Sequence, residues 1–102
     1  MENDSPWKTN SLKAVIDALR RQRVRQGDIK PALDNIIAQA IVLKKLQISD
    51  GVSQVASEMA SRAQELRGSH YSLPKFVVED LLEESIARLE GASLPPAGTS
   101  NR

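Results

Sequence analysis

The chain has 102 residues, 40% hydrophobic residues and a formal net charge of +1. This length predicts one domain, and this composition is typical of a soluble globular protein, not a disordered one. The absence of cysteine excludes disulfides, thiolate catalysis and cysteine-based metal sites. The N-terminal residues MENDSPWKTN contain no apolar run, so we expect no secretory signal and a cytoplasmic protein.

Residues 1–10 are mostly polar, with Trp7 as the one large apolar residue after Met1. They predict a flexible N-terminal tail, followed by a helical domain over 11–90. Thr9, Asn10 or Ser11 can cap a first helix. This helix is expected to end or bend around residues 22–26, before a turn at 26–28. Its apolar residues recur at helical spacing on one side: Leu12, Val15, Ile16 and Leu19.

The most apolar stretch is LDNIIAQAIVL, residues 33–43, in which eight of eleven residues are apolar. A helix that is apolar over more than half its circumference is normally enclosed by partners, so we expect this helix to form the core. Asp28 is its expected cap, and Pro31 fits the first turn because its missing N–H is not needed there. A turn is expected at residues 49–51. The longest unbroken apolar run, 40–43, is too short to cross a bilayer.

Two further helices are predicted at about 52–67 and 74–89. Gly68 and Gly91 are expected to end them, and residues 91–102 have the Pro/Gly/Ser content of a disordered tail. Glu58 and Arg62 can pair along the third helix. The fold class is therefore all-α, a compact bundle of about four helices with mostly antiparallel neighbours. The apolar stripes of the two helices are Val52, Val55, Ala56, Met59, Ala60, Ala63 and Leu66, and then Val78, Leu81, Leu82, Ile86 and Leu89.

Few residues point to catalysis or to a metal. His70 is the only histidine, and no nucleophile or orienting acid accompanies it in a known pattern, so a loop position is favoured. The acidic residues at 79, 80, 83 and 84 lack a calcium-type loop and favour a solvated helix face. We therefore predict no catalytic residue, no metal, no cofactor and no small-molecule substrate, and expect that the protein is not an enzyme.

A basic segment between residues 19 and 30 is the strongest charge feature. Such clusters bind phosphate backbones, although a solubilising face on a surface helix is the slightly favoured explanation. The net charge of +1, the lack of interleaved aromatic residues and the absence of a helix-turn-helix pattern weigh against nucleic acid. A membrane-surface role is disfavoured because no aromatic residue anchors the first helix. The residues that would contact nucleic acid are Arg20, Arg21, Arg23, Arg25 and Lys30.

The basic groups of the first helix and the acidic groups of the fourth each lie opposite their own apolar stripe. If both stripes face one core, these charged faces point outwards and are expected not to meet within one bundle. They could meet between molecules, as a steering effect that salt screens.

The favoured interpretation is a non-enzymatic helical interaction protein, a small regulator or adaptor that docks a protein partner and possibly forms a homodimer. Its basis is the excess apolar surface of the most apolar helix. The alternative is a nucleic-acid-binding regulator that uses the basic segment. The candidate protein-binding residues are Ile41, Val42 and Leu46, with Glu79, Glu83 and Glu84, or the arginines at 20, 21 and 25, as a polar rim.

Overall fold

The computed structural model describes residues 6–69 and 72–93. These residues form four α-helices: α1 (Pro6–Arg21), α2 (Lys30–Leu46), α3 (Asp50–Arg67) and α4 (Lys75–Ser93). No strand occurs in this part of the chain, only one isolated bridge between Arg25 and Asp28. The predicted all-α bundle is confirmed. The described helices include none with the length and apolarity to span a bilayer.

Three predictions fall partly or wholly outside the described residues. They concern the outer part of the N-terminal tail (1–5), most of the C-terminal tail (94–102) and the loop position of His70.

Two helices extend further than predicted. α1 begins at Pro6, so residues 6–10 are helical and their prediction as tail is wrong; proline fits a first helical turn, where its missing N–H has no role. α4 continues through Gly91 to Ser93. Gly27 is the one described glycine with a positive φ, so Gly91 does not adopt the left-handed conformation that ends a helix.

The starts of α2 and α3 also differ from prediction. Asp28 does not cap α2; the N-cap position is Ile29, without a side-chain hydrogen bond. The predicted turn at 49–51 is instead the start of α3. The Ser49 Oγ accepts a hydrogen bond from the Val52 N–H at 3.1 Å, which satisfies one of the free donors of the first turn.

The core is aliphatic, and the predicted stripes supply nearly all of it. Every apolar residue of the α1 stripe is buried, and so are most of those on the other three helices. Ser85 is the one polar side chain that is buried in the described part of the chain. The largest fully buried side chains are Leu19, Leu33, Ile36, Leu43, Met59, Leu89, Val52, Val78 and Ser85.

Contacts near the helix ends define the orientation of three helices. The Arg67 Nε, at the end of α3, lies 2.6 Å from the Asp34 Oδ1, near the start of α2. A Cβ at Gly51, near the start of α3, would lie 3.7 Å from the Cβ of Ala92, near the end of α4. Both the α2–α3 and the α3–α4 pairs are therefore antiparallel.

The four helices pack mainly as a ring, α1 with α2, α2 with α3, α3 with α4 and α4 with α1, whereas α2 and α4 touch only slightly. Because each helix offers one stripe to the shared interior, each also keeps an outer face. Ile41 and Val42 on α2 are 49% and 41% exposed. The inner side of α2 therefore belongs to the core, as expected, whereas its outer side is open at the excess apolar residues.

Candidate functional site

The first candidate surface is the outer face of α2. We define the α2 outer face as the exposed residues Asp34, Ala38, Ile41, Val42 and Lys45. They lie opposite the buried side of the helix, which carries Leu33, Ile36, Ala40 and Leu43. The face thus combines an apolar centre with one charge towards each end.

Two half-buried residues, Ile37 and Leu46, flank the apolar centre of this face, and Ile37 packs against the core. At the acidic end, Arg67 of α3 donates to the Asp34 carboxylate and holds it in position. At the other end, Lys44 and Lys45 lie in the last turn, where the negative end of the helix dipole favours cations. The sequence identified Ile41, Val42 and Leu46 but not Asp34, Ala38 or Lys45. These three residues can be assigned to the same side of α2 as Ile41 and Val42 only when the buried side of the helix is known.

The second candidate surface is a groove beside α4. Arg20 forms an ion pair with Glu90, near the end of α4. The Lys75 N–H, at the start of α4, donates to the Gln26 Oε1 at 3.1 Å. These two points of α4 are about 22 Å apart. Residues 22–26 therefore run beside α4 from near its end towards its start.

Exposure alternates along this segment. Arg21, Arg23 and Arg25 are exposed, whereas Gln22 and Val24 are half-buried. The three exposed guanidinium groups therefore follow one another on the outer side of the segment, and we call them the arginine row. In the described part of the chain none of the three forms an ion pair. Lys30 is exposed at the start of α2 and does not line the groove.

The opposite wall of this groove is acidic. The whole groove, which we call the arginine groove, has a volume of about 1100 Å³. Leu19, Val24, Leu82 and Ile86 supply its apolar part, and Glu79, Asp80, Glu83 and Lys75 line the α4 side. The prediction that the basic and acidic faces do not meet within one bundle is therefore wrong. The reason is that α1 ends at Arg21 and the following segment returns along α4.

A smaller groove of about 300 Å³ lies between α3 and α4. Glu58 pairs across it with Arg88, instead of with Arg62 along its own helix as predicted. The hydrogen bond from Arg88 lowers the pKa of Glu58, and the same bond raises the pKa of Arg88. Glu84 lines this groove together with Arg62 and Ser85.

The predicted protein-binding residues therefore fall in three places. Ile41, Val42 and Leu46 belong to the outer side of α2, Glu79 and Glu83 to the arginine groove, and Glu84 to the α3–α4 groove. Over residues 6–69 and 72–93, no three histidine, aspartate or glutamate residues come close enough to hold a metal ion. Comparisons of the chain with protein-family models, curated proteins and solved structures give no match.

Proposed function

We propose that this protein is a non-enzymatic helical interaction protein, a small regulator or adaptor, that docks a protein partner through the α2 outer face. The observation that carries the proposal is the exposure of Ile41 and Val42, at 49% and 41%, beside Ala38 on one side of a rigid helix. Contiguous exposed apolar surface is typical of a protein–protein contact.

The physical driving force is the removal of apolar surface from water, worth roughly 25 cal/mol per Å². Charges at the edge of such a contact orient the partner more than they strengthen binding. Asp34 and Lys45 are at that edge. The carboxylates of α4 are on a helix that barely contacts α2, so Glu79, Glu83 and Glu84 are not part of this proposed contact.

The test is a double substitution, Ile41→Ser with Val42→Ser, compared with Phe76→Ser as the matched control. Phe76 is 60% exposed and belongs to a different helix. Proteins from the native host that the wild type retains should be lost by the double variant and kept by the control. Identical retained sets for the double variant and the wild type, together with unchanged self-association and with both proteins folded by circular dichroism, would reject the proposal.

A second candidate function is nucleic-acid binding, favoured by the row of Arg21, Arg23 and Arg25. Three exposed guanidinium groups that lie close together in the chain can each contact a backbone phosphate. Two features oppose this function. Arg20 is already engaged by Glu90, and the carboxylates of α4 face the row and repel a polyanion.

This candidate is tested by fluorescence anisotropy with labelled single-stranded and duplex oligonucleotides over a salt series. If the row binds phosphates, Arg21→Ala/Arg23→Ala/Arg25→Ala lowers the salt slope for a single strand by about 2, since each phosphate contact contributes roughly 0.7. Lys13→Ala/Arg62→Ala/Lys44→Ala removes the same charge elsewhere and should lose less affinity. Equal losses in the two triple variants would indicate a net-charge effect without a site.

A further inference from the structure

We infer that the partner on the α2 outer face is a second copy of this chain, whose own α2 packs antiparallel to the first across a two-fold axis. This inference rests on the docking function proposed above and specifies its partner. Three observations support it: the spacing of the exposed residues, the pairing of their charges and the pairing of their sizes.

The spacing is that of a helix–helix seam. Asp34, Ala38, Ile41 and Lys45 follow one another at intervals of four, three and four residues, and all four are exposed. Such intervals place side chains in one line along a helix, as in the contact line of paired helices. The interior of the bundle already occupies the opposite side of α2, so this second line is open to another helix.

The charges pair only in the antiparallel arrangement. Asp34 lies towards the N-terminal end of the line and Lys45 at the C-terminal end. A two-fold axis between residues 39 and 40 places Asp34 of each copy against Lys45 of the other. A parallel pair in register would place aspartate against aspartate and lysine against lysine, which is unfavourable. Antiparallel helix dipoles add a further small attraction.

The sizes pair about the same axis. It brings Ala38 of each copy against Ile41 of the other, so that a small residue faces a large one, and it also places Ile37 near Val42. Small-against-large pairing lets side chains of two helices interdigitate. One axis therefore satisfies the charged and the apolar pairs together.

The contact is short, and a weak dimer is therefore expected. The line from residue 34 to residue 45 is about 17 Å long, which corresponds to less than about 1,200 Å² of total buried surface, the range of transient pairs. Arg67 already donates to Asp34. A carboxylate has about four acceptor positions, so Lys45 of the other copy can donate to it as well.

The first experiment is a charge exchange measured by sedimentation velocity over a concentration series. Asp34→Lys and Lys45→Asp should each weaken dimerisation about tenfold, because two exposed attractive pairs become repulsive. An equimolar mixture of the two variants should recover wild-type association, since both contacts of the mixed dimer again join a lysine to an aspartate. Asp80→Lys makes the same change of charge as Asp34→Lys at an exposed position of α4, a helix that barely contacts α2, and should leave dimerisation unchanged.

The second experiment uses the absence of natural cysteine. Ala38→Cys and Ile41→Cys are prepared separately, and disulfide formation is followed for each alone and for the mixture under mild oxidation. The mixed disulfide between the two variants should form fastest, because the proposed axis places these positions opposite each other. Faster like-with-like crosslinking would overturn the antiparallel register.

Failure of the inference and failure of the proposed function give different results. A chain that stays monomeric at all concentrations, but loses a host protein with Ile41→Ser/Val42→Ser, overturns the inference and leaves the docking function standing. A monomeric chain whose retained host proteins do not respond to that variant overturns both. A dimer that is insensitive to both charge exchanges uses another surface and overturns the inference.

Discussion

Gly27 is the one glycine with a positive φ among the described residues, a backbone conformation that favours glycine. Its φ is +89°, in the turn where the Asp28 N–H donates to the Arg25 carbonyl at 2.9 Å. Gly27→Ala meets no neighbouring atom, but the strained φ is expected to lower the free energy of unfolding by about 1 kcal/mol. Urea denaturation measures this change.

Gly91→Ala is the matched control for that prediction. Gly91 lies within α4 and a Cβ there also meets no atom, so alanine should stabilise by up to about 1 kcal/mol through helix propensity. The same substitution thus has opposite signs at the two glycines. Equal changes in the free energy of unfolding at Gly27 and Gly91 would contradict a positive φ at Gly27 and a helical conformation at Gly91.

Ser85 is a polar side chain in an apolar interior. It is 2% exposed, and none of the hydrogen bonds among residues 6–69 and 72–93 involves its hydroxyl. A buried hydroxyl without a partner is unfavourable, and serine is a poorer helix former than alanine. Ser85→Ala is therefore expected to raise the free energy of unfolding by about 1 kcal/mol. A loss of stability would instead indicate that the hydroxyl has a bound partner in the α3–α4 groove.

The pairing of Glu58 with Arg88 predicts a specific pH dependence. The pKa of Glu58 is lowered from 4.5 in the folded chain. Its contribution to stability is fully present above the unfolded pKa and is lost as the pH falls through the lowered folded pKa. Glu58→Gln should therefore reduce the acid-side decline in melting temperature below about pH 5. The effect is small because the pair is exposed. Arg88→Ala should reduce the same decline.

At the scale of helices, the core stabilises the fold far more than the ion pairs do. The pairs Arg20–Glu90, Arg67–Asp34 and Arg88–Glu58 each join two helices, but their side chains are 40–51% exposed. Exposed pairs contribute about 0–1 kcal/mol. Burial of aliphatic side chains between the helices therefore decides whether the bundle forms.

The adjacent residues Val42 and Leu43 of α2 test this conclusion. Leu43 is fully buried and Val42 is 41% exposed. Leu43→Ala is expected to cost about 2–5 kcal/mol through lost burial and a cavity, and Val42→Ala about 0.5 kcal/mol or less. Thermal and urea unfolding measure both. Similar losses at the two positions would mean that α2 is covered on both sides.

The same helices indicate how much of the fold the sequence could predict. Apolar periodicity located all four helices and the buried residues of α1, because a 100° step assigns each residue to a side. It could not identify which helices are neighbours. Glu58 therefore seemed to pair with Arg62 on its own helix, whereas α4 places Arg88 closer. The start of α1 and the end of α4 could not be predicted from Pro6 and Gly91, because proline and glycine permit a helix end without requiring one.

The candidate sites were predictable to a smaller extent. Exposure of Ile41 and Val42 followed from the excess of apolar residues on α2. The line through Ala38 and the row of Arg21, Arg23 and Arg25 did not, since both depend on packing. The row depends on where α1 ends and on how the following segment packs beside α4, and local charge density gives no sign of its alternating exposure.

At the scale of the whole molecule, the net charge of +1 conceals a strongly divided surface. One wall of the arginine groove carries a row of guanidinium groups, and the other carries Glu79, Asp80 and Glu83. Opposite charges on the two sides of one groove attenuate each other's field, and at physiological salt the field of each wall falls off over about 8 Å. The acidic wall therefore acts against polyanion binding by the arginines.

Removing that wall shows whether the arginine row can bind a polyanion at all. Glu79→Gln/Asp80→Asn/Glu83→Gln removes three negative charges beside the row without changing side-chain size. If the row can contact phosphates, affinity for a single-stranded oligonucleotide at low salt should rise by about tenfold or more, and the salt slope should steepen. Asp17→Asn/Glu65→Gln/Glu84→Gln gives the same net charge from other positions and should produce a smaller rise. Equal rises in both variants would assign the effect to net charge. No binding by either would leave the arginines as a solvated surface.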